Sequence, residues 1–125
     1  MNTQNFSSLN LTDAMLKNLE KIGYEHMTPI QAKALPFILE KKDLIAKAKT
    51  GSGKTAAFGI GLLSSLDVKK FRVQSLVLCP TRELADQVAN ELRQIAKFAH
   101  NIKILTLCGG VAFGPQLGSL RHQAH

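Results

Sequence analysis

The stretch LIAKAKTGSGKTAAFGIG, residues 44 to 61, constrains the fold more than any other part of this chain. A short apolar run enters a glycine-rich turn, and a run of small and apolar residues leaves it. Backbone amides of Thr50, Gly51, Ser52 and Gly53 can curl around phosphate oxygens there, because glycine permits the positive φ and the close approach that the curl requires. A helix starting at the turn points its positive dipole end at the same anion. Lys54 reaches the β- and γ-phosphates as a point charge, and Thr55 offers its hydroxyl to Mg²⁺. One residue departs from the strict loop pattern G-x-x-x-x-G-K-[ST]: Ala48 stands where the first glycine belongs. A glycine turn with an incidental lysine would explain these residues one by one, but not a strand, a loop and a helix in that order.

The rest of the chain alternates in the same way. Asp43 to Ala46 reads as a short buried strand, and a helix is expected from about Gly53 to Leu66. Ser75 to Cys79 is a second strand, stopped by Pro80, after which Thr81 can cap a helix with Leu84, Val88, Leu92, Ile95 and Ala99 at three- and four-residue spacing. Residues 103 to 108 form a third strand, ended by Gly109-Gly110. Strands alternating with amphipathic helices imply parallel pairing with right-handed crossovers, so the class is α/β. Upstream, Asn10 or Thr12 can cap a helix running to Ile22, which Gly23 ends. In MTPIQAKALPFILE, Thr28, Pro29 and Gln31 make a capping box, and Pro36 is expected to kink or break the helix. Beyond Gly110 only a helix near Pro115 is legible. Three strands make a thin parallel sheet with an unpaired edge, which leads us to expect a chain that stops partway through a domain.

A length of 125 residues suits one domain, and 45% hydrophobic content is that of a globular protein. Nothing approaches the roughly 18 apolar residues of a membrane span, and MNTQNFSSLN lacks the pattern of a secretory signal, so the cytoplasm is the expected location. Cys79 and Cys108 end apolar runs and read as reduced, packed thiols. His122 and His125 read as a frayed tail rather than a metal pair. A net charge of +7, from 16 basic and 9 acidic residues, favours polyanionic partners, nucleic acid first. No carboxylate side chain follows Glu91.

GYEHMTPIQ at residues 23 to 31 leaves two readings open. Helix capping explains Thr28 and Gln31 without a ligand. Alternatively the Gln31 amide, which both donates and accepts, reads an adenine edge while Tyr24 supplies a stacking face. Taken with AKTGSGKT and PTRELADQ, this segment resembles the opening half of a DEAD-box ATP-dependent RNA helicase, over residues 6 to 114. That family writes its phosphate loop with alanine first. The resemblance implies a P-loop NTPase (RecA-like) sheet with flanking helices, a glutamine-motif region over residues 1–32 and a partial ATP-binding domain over 33–125. It implies that Phe6, Tyr24, Thr28 and Gln31 frame the adenine of ATP. Ala48, Lys49, Thr50, Gly51, Ser52, Gly53, Lys54 and Thr55 would hold the phosphates and Mg²⁺. Pro80, Thr81, Arg82, Gly109 and Gly110 would contact RNA backbone. Within the family, LVLCPTRELADQVANELRQIAKF and NIKILTLCGG resemble a bacterial branch directed at ribosomal RNA, with a role in ribosome assembly.

The family's Asp-Glu-Ala-Asp tetrapeptide, which helps hold Mg²⁺ and orients the attacking water, does not occur in this sequence, nor does its Ser-Ala-Thr motif. The 125 residues alone are therefore expected to bind nucleotide and RNA without hydrolysis or unwinding. The competing reading is a stand-alone, non-enzymatic nucleotide- or RNA-binding module. A small-molecule kinase would share the loop but not the glutamine motif or PTRELADQ.

Overall fold

The structure, a computed structural model, describes residues 4–125, so the first three residues of the glutamine-motif region lie outside the described residues. Five helices dominate it: α1 (Asp13–Lys21), α2 (Pro29–Leu39), α3 (Lys54–Ser64), α4 (Arg82–Ile95) and α5 (Phe113–Arg121). The local signals place their starts. The Thr12, Thr28 and Thr81 hydroxyls accept the amides of Met15, Gln31 and Leu84, so each satisfies a donor that the first helical turn leaves orphaned. Thr12, rather than Asn10, is the cap of α1. Gly23, at φ 90°, ends α1 in the left-handed conformation, and the Tyr24 amide then turns back to the Leu19 carbonyl at 2.8 Å.

Helix α3 is the middle of the packing. It is apolar all round, buries Ala56, Ala57, Ile60 and Leu63, and lies against α2 on one side and α4 on the other. Glycines make the approach close. A Cβ on Gly61 would collide with the Ile38 side chain of α2, and one on Gly59 would stand 2.7 Å from Leu92 Cδ2 of α4. Met15 and Leu19 of α1, Leu35 of α2 and Ile95 of α4 complete the fully buried set. Asn18, also buried, faces the end of α4, and its Nδ2 donates to the carbonyls of Gln94 and Ile95 at 3.0 and 2.9 Å.

Three expectations need correction. Helix α2 runs through Pro36 to Leu39 instead of breaking. A proline removes its own amide's bond and crowds the preceding turn, which favours a kink, but the turn beyond it is packed against α3 through Ile38 and the helix is not broken. The chain end is not frayed. His125 is 7% exposed, its Nδ1 accepts the Lys103 amide at 3.0 Å, and its carbonyl accepts the Gln74 amide at 2.7 Å. Five backbone and side-chain bonds at this one residue offset the entropy of a loose end.

The third concerns the sheet. Segments 43–46, 75–79 and 103–108 carry no hydrogen-bonded ladder, and the only bridge among the described residues joins Asn5 to His26. Strand-like alternation survives all the same: Val77 and Cys79 pack on the core while Leu76 and Leu78 face outward. What is missing is the ladder of backbone bonds. A cavity of about 1130 Å³ lies between Asp43, Leu44 and Ala46 on one wall and Leu76 to Leu78 on another. A second, of about 400 Å³, opens among segments 73–79 and 103–107 and the faces of α3 and α4. Beside these segments the described residues leave cavity space and form no ladder. No helix among the described residues is long and apolar enough to cross a membrane. Cys79 and Cys108 are free thiols.

The α2–α3 contact is open to test. Gly61→Ala should destabilise the chain by about 1–3 kcal/mol in urea unfolding, because the β-branched Ile38 cannot swing aside. Ile38→Ala in the same chain should recover part of that loss, giving a double variant less destabilised than the two single changes predict.

Candidate nucleotide-binding site

The phosphate loop has the conformation its glycines anticipate. Gly51 and Gly53 lie at φ 80° and 90°, and the space beside Gly51 is open. The non-glycine residues with positive φ are Lys41, Asn101 and Gln123, so among the described residues Ala48 keeps ordinary backbone geometry. That is why alanine serves at the position where the strict pattern has glycine. Lys54 Nζ reaches back across the loop to the Ala48 carbonyl at 2.5 Å, and the Ser52 amide and hydroxyl both turn to the Lys49 carbonyl. Gly53 caps α3, whose first backbone bond runs from the Ala57 amide to the Gly53 carbonyl at 3.1 Å. The amides of Lys54 and Thr55 precede it and point out of the helix start. Thr50, Gly51, Lys54 and Thr55 line the larger cavity. Open space beside the loop, amides without helical partners, a lysine and a hydroxyl at the start of α3 together suit a metal-bound polyphosphate.

Gln31 settles part of the ambiguity of its segment. The capping box is formed in full: the Thr28 hydroxyl accepts the Gln31 amide, and Gln31 Oε1 accepts the Thr28 amide at 2.9 Å. Its other end does more, since Nε2 donates to the carbonyl of Gly53 in the phosphate loop at 3.1 Å. The side chain is 5% exposed. A carboxamide oxygen has two lone pairs and its nitrogen two protons, so these bonds leave one acceptor and one donor for a base edge. Capping and base reading are therefore compatible in one residue.

The aromatic pair sits at the other end of the same segment. The Asn5–His26 bridge and the bond from the Met27 amide to the Gln4 carbonyl bring residues 4–6 alongside residues 26–27. Phe6, 4% exposed, then stacks on Tyr24 with ring centres 6.5 Å apart and planes 23° from parallel. The Tyr24 hydroxyl donates to Glu91 Oε1 of α4 at 2.7 Å. Burial, and then the Glu91 carboxylate, push the Tyr24 phenol well above its ordinary range.

The residues expected to meet RNA gather at the opposite end of α4. Pro80, Thr81 and Arg82 are exposed, as are Gly109 and Gly110. Arg82 Nη1 donates to the Gly109 carbonyl at 3.2 Å, which joins the two motifs, and a Cβ on Gly110 would run into the Arg82 guanidinium. Gln116 of α5 braces the same turn from behind, accepting the Cys108 amide at 2.8 Å. Sequence reasoning had no role for Glu91, Asn18, Arg93 or Gln116. Arg93 holds segment 103–107 through the Ile104 carbonyl at 3.2 Å. A signal existed only for Asn18, a polar residue between Met15 and Leu19 on the apolar stripe of α1.

Known proteins share this arrangement. The family model for DEAD/DEAH box helicases matches residues 28–125. The ATP-dependent RNA helicase DbpA of Escherichia coli (strain K12) is 63% identical over 121 residues, 96% of this chain and 26% of that protein. A solved DEAD box protein from the hyperthermophile Methanococcus jannaschii aligns over 96% of this chain and 33% of its own, with a TM-score of 0.88 and 38% identity. The RNA-helicase Prp28 from Chaetomium thermophilum, solved bound to ADP, aligns over 99% of this chain and 31% of its own, with a TM-score of 0.81 and 37% identity. The chain thus spans about a quarter to a third of the proteins it matches. It belongs to the DEAD/DEAH box helicase family.

Proposed function

We propose that this chain is the nucleotide-binding part of an ATP-dependent RNA helicase. The observation that carries this reading is the Gln31 amide, which ties the base-recognition segment to the phosphate loop through the Gly53 carbonyl. On this reading adenine lies against Tyr24 and meets the free donor and acceptor of Gln31. The phosphates lie on the amides of residues 48–55, with Lys54 at the β- and γ-phosphates. Thr55 would hold Mg²⁺, which when bound neutralises charge on the phosphate oxygens. RNA backbone would run past Thr81, Arg82 and the Gly109-Gly110 turn, where a helix start and a guanidinium suit phosphate contact.

Residues 1–32 then serve base recognition, and residues 33–125 the phosphates and RNA. The three apolar segments belong to a parallel RecA-like sheet, and the cavities between them leave room for further strands. Similarity to E. coli DbpA, together with the basic balance of the chain, supports an RNA partner, for which we propose ribosomal RNA during ribosome assembly in the cytoplasm. The second reading, a non-enzymatic nucleotide- or RNA-binding module, draws on the absence from these residues of the family's Asp-Glu-Ala-Asp tetrapeptide and of any acidic side chain after Glu91.

Two measurements test the reading. In calorimetry, Gln31→Ala should weaken tripolyphosphate through loss of the Gly53 bond, and should weaken ADP about ten-fold more, through loss of the base contact as well; equal losses would leave Gln31 with its capping and loop-holding bonds alone. In a phosphate-release assay with RNA present, the 125-residue chain and its Lys54→Ala variant should both stay at background. RNA-stimulated release that disappears in Lys54→Ala would show a complete catalytic site.

A further inference from the structure

None of the readings above gives Glu91 a role, yet it bonds Tyr24 and lines the cavity beside the phosphate loop. Its side chain is on the wall of the same cavity as Lys54 and Thr55, and its carboxylate accepts the Tyr24 hydroxyl across 67 residues of sequence. An ionised carboxylate left free beside a phosphate site would repel the ligand. Here a hydroxyl donates to it, and such charge-assisted bonds are about twice as strong as neutral ones. Tyr24 has two further restraints. Its amide is held by the Leu19 carbonyl, and its ring is backed by the buried Phe6. Asn18 fixes the register between α1 and α4 by holding two carbonyls at the end of α4, so Glu91 cannot slide relative to Tyr24 without losing both bonds.

We propose that Glu91 is a positioning residue for adenine recognition: by holding the Tyr24 hydroxyl it fixes the Tyr24 ring as the wall against which the base packs. The assignment rests on the adenine reading of the proposed function. Glu91 touches neither base nor phosphate in this account. It acts through Tyr24, and its effect is confined to ligands that carry a base.

Ligand-observed NMR on the 125-residue chain, titrating ADP and tripolyphosphate separately, tests it. Tyr24→Phe and Glu91→Ala should each weaken ADP about three- to ten-fold, the worth of one hydrogen bond, and leave tripolyphosphate within about two-fold. The double variant should be no worse than the weaker single one, because both changes delete the same bond. Glu91→Gln, which keeps an acceptor without the charge, should recover part of the loss. Tyr24 is the single tyrosine and the chain has no tryptophan, so alkaline titration followed by tyrosinate absorbance reads this phenol alone. The midpoint should lie above the ordinary ~10 in the parent and fall toward it in Glu91→Gln. Because folding raises this group's pKa, the stability it confers is complete below about pH 10 and is lost as the pH rises further.

ADP affinity unchanged in both Tyr24→Phe and Glu91→Ala would overturn the assignment. So would equal weakening of ADP and tripolyphosphate, which would mark a merely structural bond. A parent chain that binds ADP no more tightly than tripolyphosphate would defeat the adenine reading itself, and the role of Glu91 with it. A parent that prefers ADP, with variants that keep the preference intact, would defeat the role of Glu91 alone.

Discussion

The contact between Gln31 and the Gly53 carbonyl sets the geometry on which the site depends. Helix α2 begins at the capping box, α3 begins at Gly53, and one carboxamide spans the two starts. Because Gly53 takes a left-handed conformation that only glycine adopts cheaply, the loop has little freedom to relax around that bond. A Cβ at Gly53 would collide with the Gln31 amide, so backbone strain and steric exclusion act at the same atom. The packing of α2 on α3 through Ile38 and Gly61 holds the two helices in the register that keeps the bond made. The spacing of the capping box and the phosphate loop is thus held by the core as well as by the loop.

Helix α4 provides a second frame, at a right angle in function if not in space. Fourteen residues long, and so about 21 Å from end to end, it carries Arg82 and the joined glycine turn at its start and Glu91 near its finish. Its middle, Val88 and Leu92, packs against α3 and is buried. The proposed nucleotide and RNA contacts would therefore share one helix as their support. Arg93, on the exposed face, adds a tether to segment 103–107, which stands otherwise without strand pairing.

Sequence legibility followed the range of the interaction. Caps at Thr12, Thr28 and Thr81, the glycine end of α1 and the loop conformation were all readable, because each depends on residues three to five positions apart. The motifs that identify the family were readable for the same reason. The passage of α2 through Pro36 was misjudged because tertiary packing outweighed a local penalty, and the fixed His125 because its partners lie at Val68, Gln74 and Lys103. Apolar runs at 43–46, 75–79 and 103–108 gave the positions of strand-like segments, but pairing is a property of neighbours and no run of residues contains it. Tyr24 and Glu91 are far apart in sequence, and nothing local marks either as the other's partner.

The uncovered side of the apolar segments has a thermodynamic consequence. Ile45 is fully exposed, and Leu78 and Leu76 are 85% and 77% exposed, so these side chains are already hydrated in the folded state. The heat capacity increment of unfolding comes chiefly from apolar surface newly brought into water, and here that surface contributes nothing new. These side chains therefore lower the heat-capacity increment below what the apolar content alone would give, and the stability curve loses curvature by their share. Denaturant sensitivity scales with the same newly exposed area, so it is reduced by the same share and the urea transition is broadened accordingly.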